Sequence, residues 1–249
     1  MKSIQVIPVS GLDEVKRGDD IGQLVLSACR NARLRIESGD VVVVTHKIVS
    51  KSEGRVVDLS SVLPSKFAIK ASKQLQKDPA QVEVILAESR RIVKMVRGLI
   101  ISEGVNGFVC ANAGVDQSNV DVGRVVLLPR RPDESAYRIR SAIEKATKKT
   151  IAVIISDTFG RPWREGQVDV AIGLSGINPF DDYRGKKDQY GYNLKASVIC
   201  TVDEIASAAE LCMRKLDRIP VAIVRGVQYK SANVRARAIA RKPSRDLFR

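Results

Sequence analysis

Apolar and polar positions in the first 54 residues predict a strand, a helix, a second strand and a loop. Residues 3–8 form a short apolar run typical of a strand, and apolar residues recur at helical spacing over 20–37. The sequence VVVVT at 41–45 predicts a strand covered on both faces, because all of its early positions are apolar. Residues 46–54 are polar, basic and glycine-terminated, which predicts a loop.

The middle of the chain predicts helices on either side of an antiparallel meander. Two helices are expected within 64–90, and three short apolar segments separated by glycines over 92–112 predict the meander. A strand closed by a proline follows at 124–129. The segment PDESAYRIRSAIEKATKK at 132–149 then predicts a long helix with Asp133 as its N-terminal cap.

The last hundred residues predict a buried strand at 151–157 that ends in an acid, then another apolar segment at 168–177. After a polar excursion at 181–193, a helix over 203–215 and a final strand over 219–226 are expected. The meander interrupts any regular βαβ rhythm, so the fold class is predicted as α+β with mixed sheets. The chain has neither G-x-G-x-x-G nor G-x-x-x-x-G-K-[ST], which argues against Rossmann and P-loop nucleotide binding.

Composition points to a basic protein with a substantial core. The chain has 249 residues, 44% of them hydrophobic, and a net charge of +14 that attracts polyanions. The candidates are nucleic acid, or a nucleotide or other phosphorylated small molecule; an ordinary basic surface is the alternative. Aromatic residues make up only 4%, which argues against a single-strand reader built on stacking. No membrane span or signal peptide is evident, so a cytoplasmic protein is expected.

The cysteines and the single histidine do not form a zinc motif. Cys29, Cys110, Cys200 and Cys212 are scattered without a C-x-x-C pair, so we expect small core residues. No linker divides the chain, which predicts one domain over residues 1–230, with room for two interleaved subdomains. Residues 231–249 carry several cations against one acid and are predicted to form a basic C-terminal tail.

Three segments share one pattern, in which an apolar strand runs into a polar loop that contains glycine. They lie at 41–54, 108–119 and 154–164. Loops at strand ends are where rigid scaffolds place functional groups. These segments are therefore the first place to look for a site.

Asp116 and Asp157 are the acids of interest, since each follows apolar sequence. A partly desolvated carboxylate needs a partner, and hard oxygen ligands suit Mg²⁺ or Mn²⁺. Thr158 beside Asp157 offers a hydroxyl ligand. The alternative is that both aspartates cap turns, because GVDQSN and SDTFG are good Asx-turn sequences.

Cationic and polar residues in the same segments suit a phosphate-bearing ligand. Lys47 and Lys51 share one face only if their loop is helical, and there they can bind triphosphate oxygens; a solvated loop is the alternative. His46 fits a phosphate or base contact, or a structural role. Asn119 and Asn112 fit a nucleotide contact or a role in holding their own loop.

Arg161 and Arg164 bracket a Pro-Trp pair. The proline restricts the backbone, and arginine binds carboxylate or phosphate through two parallel hydrogen bonds. We predict that both arginines are catalytic groups that bind an anionic substrate group beside the acids. The alternative is a salt bridge to Asp169 or Glu165.

Six ordered blocks resemble one known family along nearly the whole chain, from about Ile7 to Gly226. The blocks are VVTHKIVSKSEGR, CANAGVDQSN, ISDTFGRPWR, RGKKDQYGYNL, VDEIASAAEL and IPVAIVRG. They are similar to the glutamate ligases of coenzyme F420 biosynthesis, the coenzyme F420-0:L-glutamate ligase family. Only the basic tail lies outside the resemblance.

The resemblance implies GTP-dependent amide-bond synthesis. GTP would phosphorylate the lactyl carboxylate of the deazaflavin coenzyme F420-0, and the amine of L-glutamate would attack the acyl phosphate. The products would be a γ-glutamyl coenzyme, GDP and phosphate. The resemblance also implies two divalent cations, Mg²⁺ or Mn²⁺, a K⁺ ion, and an intertwined homodimer.

The resemblance also assigns site residues. Asp116 and Asp157 fall on metal-binding aspartates, and Thr158 falls on a neighbouring hydroxyl ligand. The positions that match nucleotide contacts are Leu12, Asp13, Glu14, Val15, His46, Lys47, Lys51, Asn119, Met213, Arg214, Lys215, Leu216, Asp217, Arg218 and Ile219.

Two departures from the family pattern stand out. His46 and Lys47 lie where relatives can carry small hydroxyl residues. The turn MRKLDRI is basic where relatives can be glycine-rich and acidic, and Asp217 is its only carboxylate. Two other functions stay open: a nucleic-acid-binding protein driven by the tail, and an amide ligase of this fold with another acid substrate.

Overall fold

The computed structural model describes residues 3–246; residues 1–2 and 247–249, including Arg249 of the predicted tail, lie outside this range. The strands are β1 (Gln5–Pro8), β2 (Val41–Thr45), β3 (Val56–Asp58), β4 (Ser89–Val96), β5 (Leu99–Gly104), β6 (Val109–Ala111), β7 (Arg124–Val126), β8 (Ala152–Arg161), β9 (Arg164–Ser175), β10 (Asp181–Asp182), β11 (Val198–Ile199) and β12 (Val221–Arg225). The helices are α1 (Ile21–Asn31), α2 (His46–Ser52), α3 (Lys66–Leu75), α4 (Pro79–Ala87), α5 (Pro132–Thr147) and α6 (Thr201–Met213). Within residues 3–246, none of these helices has both the length and the apolar character needed to cross a membrane.

A five-stranded mixed sheet forms the main layer, in the order β1-β12-β2-β8-β9. Only β2 and β8 pair in parallel; the other neighbours are antiparallel. β2 lies in the middle of the sheet, and Val41, Val42, Val43 and Val44 are fully buried. The predicted two-sided burial of this strand is confirmed, as is the α+β class with mixed sheets.

Helices α5 and α6 pack against this sheet. α5 contacts β8, β9 and α1, while α6 contacts β9, β1 and β12. The start of α5 lies so close to β9 that a Cβ atom on Gly173 would come within 2.7 Å of Pro132. Glycine at this position therefore permits the close approach of helix and strand.

The predicted meander is confirmed as a separate three-stranded antiparallel sheet, β4-β5-β6. It packs with α3 and α4 and with the β3-β7 pair around a second apolar core. The largest buried side chains of this core are Leu75, Ile85, Ile100 and Leu127, and the core is distinct from the one around the main sheet. The chain thus builds two apolar cores.

Three predicted boundaries were wrong. The first helix ends at Asn31 rather than 37, because Arg33 adopts a left-handed φ of 54°. The loop predicted at 46–54 is mostly helix α2. The strand predicted to end at Asp157 continues to Arg161, since β9 pairs with it residue by residue beyond the acid.

Asp133 does not cap α5, contrary to the prediction. Arg131 occupies the cap position, and its side chain makes no capping bond. The Asp133 carboxylate instead accepts hydrogen bonds from the backbone N–H groups of Leu174, at 2.9 Å, and Ala236, at 3.0 Å. Burial raises the pKa of the Asp133 carboxyl, although these two hydrogen bonds act to lower it. The carboxylate therefore joins α5 to β9 and to the C-terminal segment.

The C-terminal segment lies against the domain as far as residue 246. Ala236 is 1% exposed within the main core, and Ile239 and Ala240 pack against the same core. The cations of the predicted tail therefore project from an anchored segment.

All four cysteines are free thiols. Cys29 and Cys110 are buried, in agreement with a core role, whereas Cys200 and Cys212 are half-buried. Burial raises the pKa of Cys29 to about 11 and of Cys110 to about 12.

Candidate active site

A single large cleft gathers the three strand-end segments singled out in the sequence. Its volume is about 2390 Å³, and Lys47, Asp116 and Asp157 all line it. Pockets for one small ligand measure roughly 300–1,000 Å³. The cleft therefore has room for more than one substrate.

The helical conformation of α2 gives its lysines a common direction. Lys47 and Lys51, four residues apart, lie on one helix face. The Lys47 ammonium lies 2.7 Å from the Asp116 carboxylate and also donates to the Ser118 hydroxyl. Lys51 lies 2.8 Å from the Glu14 carboxylate. One helix face thus bridges the loop that contains Glu14 and the loop that contains Asp116.

Asp116 is held by backbone and side-chain bonds. Its backbone pairs with Val126, and its carboxylate accepts from the Ser118 N–H at 2.8 Å and the Ser118 hydroxyl at 2.9 Å. Burial raises the pKa of this carboxyl, but the bonds from Lys47 and Ser118 outweigh it and hold the pKa below its usual value. The turn-capping alternative is confirmed for Asp116, which also presents an ionised carboxylate to the cleft.

Asp157 faces the chain's only histidine. The His46 ring is 2% exposed, and its Nε2 atom lies 3.2 Å from the Asp157 carboxylate without the alignment of a hydrogen bond. The other ring nitrogen, Nδ1, lies 3.5 Å from the Ser50 hydroxyl. The Thr158 N–H donates to the Asp157 carboxylate at 2.7 Å. His46 is therefore buried behind Asp157, as a structural role for this residue predicts. It also borders the cleft.

Thr158 belongs to a second network on the same strand pair. It lies directly opposite Asp169 of β9, and its hydroxyl donates to that carboxylate at 2.6 Å. The Ser156 hydroxyl donates to the other oxygen of Asp169 at 2.9 Å, and the Lys215 ammonium donates to the Thr158 hydroxyl. Asp169 is 3% exposed. It fixes the direction of the Thr158 hydroxyl.

Sequence reasoning considered Asp169 only as a partner for arginine. One observation could have found its role: it is a lone acid inside an apolar strand, and a buried carboxylate requires donors. Ser118, which supports Asp116, was also missed. Glu210 of α6 lines the cleft and was not singled out either.

Most of the predicted nucleotide contacts border the same cleft. The residues that do so are Leu12, Asp13, Glu14, Val15, His46, Lys47, Lys51, Asn119, Met213, Arg214, Lys215, Leu216, Arg218 and Ile219. Asp217 is not among the lining residues; its carboxylate lies 3.9 Å from Arg214. Asn112 lines the cleft as well, and its side-chain oxygen accepts from the Ile100 N–H at 3.2 Å, which ties its loop to β5.

The two arginines differ in position. Arg161 lines the cleft, and its guanidinium donates to the Glu165 backbone carbonyl at 2.7 Å. Arg164 is exposed and does not line the cleft. Neither forms the alternative salt bridge to Asp169 or to the Glu165 side chain within residues 3–246. Arg161 therefore remains the better placed of the two predicted catalytic groups.

The donor chemistry fits a hard cation if the substrate supplies part of the shell. No group of three or more His, Cys, Asp or Glu side chains forms a ready cage in the part of the chain that the structure describes. Asp116 and Asp157 nevertheless present carboxylates to one cleft. Mg²⁺ in phosphate-transfer sites is commonly held by one or two carboxylates together with substrate phosphates. These residues fit that mode of binding.

Comparison with known proteins agrees with the resemblance seen in the sequence. A family model described as F420-0:Gamma-glutamyl ligase matches residues 11–226. A protein of Methanocaldococcus jannaschii named Coenzyme F420:L-glutamate ligase is 46% identical over 219 residues, covering 88% of each chain. Proteins of the same name from Methanothermobacter thermautotrophicus and Methanopyrus kandleri are 44% and 42% identical, covering 91% and 100% of this chain and 90% and 99% of their own. The Methanopyrus alignment includes the C-terminal segment, which the sequence resemblance had left out. The chain therefore belongs to the F420-0:gamma-glutamyl ligase family.

Proposed function

We propose that this protein is a GTP-dependent ligase that joins L-glutamate to the lactyl carboxylate of coenzyme F420-0. The carboxylate oxygen takes the γ-phosphoryl group of GTP, and GDP leaves. The glutamate amine then attacks the acyl carbon, releasing phosphate and a proton and forming the γ-glutamyl amide. The observation that carries the proposal is the single cleft in which the lysines of segment 41–54 meet Asp116 and Asp157 of the other two segments.

Cations around the cleft suit the triphosphate. Lys47, Lys51 and Lys215 present ammonium groups to the cleft, and Arg214 and Arg218 line it as well. Each lysine now lies against an oxygen of this chain, and phosphate oxygens are equivalent partners for it. Binding of GTP would therefore exchange contacts within the protein for contacts with the nucleotide.

Asp116 and Asp157 would hold Mg²⁺ or Mn²⁺ together with phosphate oxygens, and Thr158 would add its hydroxyl once Lys215 has moved away. A divalent ion bound there neutralises charge on the transferred phosphoryl group. The second divalent ion and the K⁺ ion that the resemblance implies belong to the proposal as well. Asp169 fixes the Thr158 hydroxyl, and His46 lies behind the Asp157 carboxylate.

Positioning supplies the remaining catalysis in this proposal. A cleft that holds both the coenzyme carboxylate and the γ-phosphoryl group replaces a bimolecular encounter, which can lower the barrier by as much as ~7–11 kcal/mol. Arg161 at the cleft wall would bind the carboxylate or the acyl phosphate. We also propose that the protein acts in the cytoplasm and that it forms an intertwined homodimer. Sedimentation velocity tests whether the protein is a dimer.

The test is a reconstituted reaction containing the protein, GTP, Mn²⁺, L-glutamate and coenzyme F420-0. We expect GDP formation and a coenzyme mass increased by one glutamate, both dependent on glutamate. ATP in place of GTP, and other carboxylic acids in place of the coenzyme, define the nucleotide and acceptor preferences. Absence of any glutamate-dependent product from coenzyme F420-0 would contradict the proposal and favour an amide ligase for another acid.

Nucleic-acid binding is the second candidate, favoured by the net charge of +14. Because Ala236 is buried, removing residues 231–249 would damage the core as well as remove charge. Replacing the exposed cations Lys242 and Arg245 with glutamine is the cleaner test. Ligation should survive this change. Two results together would favour the second candidate. The parent protein would bind RNA or DNA tightly and in a salt-dependent way that the change abolishes, and it would show no ligase activity.

A further inference from the structure

The hairpin between β8 and β9 carries the chain's only tryptophan at its tip. Arg161 pairs with Arg164, so Pro162 and Trp163 form a two-residue connection. Trp163 is 86% exposed, and it lines the cleft together with Arg161 and Pro162. A large apolar ring therefore projects at the wall of the site without contributing to either apolar core.

The backbone of Trp163 is in an unfavourable conformation. Its φ is 63°, in the left-handed region, which is a genuine outlier for a bulky residue. The position after proline in a tight turn with this geometry is one that glycine usually fills. Strained residues of this kind cluster at ligand-binding positions.

We propose that Trp163 stacks on the planar heteroaromatic ring of a phosphate-bearing substrate. The indole offers a flat face, the paired strands β8 and β9 hold the turn, and Arg161 beside it suits a ring that also carries phosphate. This inference rests on the proposed function, which supplies two sources of such a ring. They are the guanine of GTP and the deazaflavin of coenzyme F420-0.

A single tryptophan makes the test specific. Binding is measured without turnover, by equilibrium dialysis and by the inner-filter-corrected emission of Trp163, with GDP, coenzyme F420-0 and L-glutamate as separate probes. We expect one ring-bearing probe to quench the emission and to bind roughly tenfold more weakly to Trp163→Ala, as one stacked ring implies. L-Glutamate, which has no ring, should bind equally well to both proteins.

The probe that loses affinity identifies the source of the ring. Trp163→Phe should restore much of the affinity, since it restores a ring face. Trp163→Gly should bind as weakly as Trp163→Ala but unfold at the same or a higher temperature, because glycine accepts the positive φ. Tyr137→Ala, which removes an exposed aromatic ring from the surface of α5, is the matched control and should change neither affinity.

Equal affinity of the parent and Trp163→Ala for both GDP and coenzyme F420-0 would overturn the inference. A change in sedimentation coefficient in Trp163→Ala with both affinities intact would also overturn it, since the ring would then serve subunit contact. The binding measurements do not depend on ligation. A failed ligase reaction with intact, Trp163-dependent ring binding would count against the proposed function alone.

Discussion

The two ends of β2 carry ion pairs of opposite character. Asp40, just before the strand, is 1% exposed and accepts two bonds from the Arg225 guanidinium, each 2.8 Å long. The same arginine also binds Glu37 and the Arg35 carbonyl. After the strand, the Lys47 ammonium meets Asp116, whose side chain is 41% exposed, at the wall of a large cleft.

The difference separates a structural network from a replaceable one. At the Asp40 end, a rigid guanidinium holds both carboxylate oxygens, so no ligand can enter without unpairing a buried charge. At the cleft end, a metal ion can replace the flexible Lys47 ammonium as the partner of Asp116, and phosphate oxygens can replace Asp116 as the partner of Lys47. Changes at the first end should therefore affect stability, and changes at the second should affect ligand binding and turnover.

The largest effect should come from breaking the closed network. Arg225→Ala leaves Asp40 buried without its cation, which should lower the free energy of unfolding by about 3–5 kcal/mol. Urea unfolding followed by circular dichroism measures this loss, and Arg225→Lys keeps the charge if the alanine variant does not fold. The exposed Arg131–Glu134 pair is the control, and Arg131→Ala should cost about 1 kcal/mol or less. Equal losses at the two sites would refute the distinction.

Asp157→Asn should affect turnover far more than stability. The variant keeps an oxygen that accepts from the Thr158 N–H but loses the charge, so kcat for glutamate ligation should fall by at least ~100-fold. The melting temperature should change little. Asp182→Asn, on the polar excursion outside the cleft, is the control and should keep full activity. Full activity in Asp157→Asn would show that this carboxylate is not part of the site.

Lys47→Ala should weaken nucleotide binding. Loss of one charge-assisted contact to a phosphate costs about 1.5 kcal/mol, which corresponds to roughly a tenfold rise in KM for GTP. Steady-state kinetics at saturating glutamate measure the change. Lys70→Ala, an exposed lysine of α3, removes the same charge away from the cleft. If both variants shift KM equally, net charge rather than contact governs nucleotide affinity.

The smallest effect concerns the thiol of Cys110. Burial, with a contribution from the Asp157 charge, raises the pKa of this thiol to about 12, so little thiolate exists at pH 8. Alkylation by iodoacetamide should therefore be slow and should quicken as pH rises. Asp157→Asn removes a negative charge that disfavours the thiolate, so the pKa should fall and Cys110 should react faster.

Cys200 provides an internal control for that measurement. Burial raises the pKa of this thiol also to about 12, but its nearby charges are Asp203 and Glu204. Peptide mapping by mass spectrometry should show a faster reaction at Cys110 alone in Asp157→Asn. A parallel rise at Cys200 would indicate general loosening of the fold instead.

The sequence predicted the elements whose patterns are long or strongly apolar. The valine run of β2, the meander and the helix α5 are confirmed, because their burial dictates the pattern of apolar residues. Helix α2 was missed, since seven residues are too few to show a helical period and Thr45 makes no capping bond through its side chain. The continuation of β8 was missed because Asp157 and Thr158 resemble a loop, and only pairing with β9 keeps them extended.

For the candidate site, the sequence identified the segments but not their contacts. Asp116, Asp157 and the lysines could be selected by residue type and by their place after apolar strands. The pairing of Thr158 with Asp169 depends on strand register, which the sequence alone does not define. Asp133 was assigned to a cap from local pattern, whereas its partners Leu174 and Ala236 are distant in sequence.

The most direct test of the central claim is the electron paramagnetic resonance signal of free Mn²⁺ in the presence of a non-hydrolysable GTP analogue. With the parent protein, we expect the free-ion signal to fall below the level that the nucleotide alone produces. In the double variant Asp116→Asn, Asp157→Asn, the signal should return to that nucleotide-only level while the fold stays intact by circular dichroism. Equal Mn²⁺ binding by parent and double variant would contradict the account.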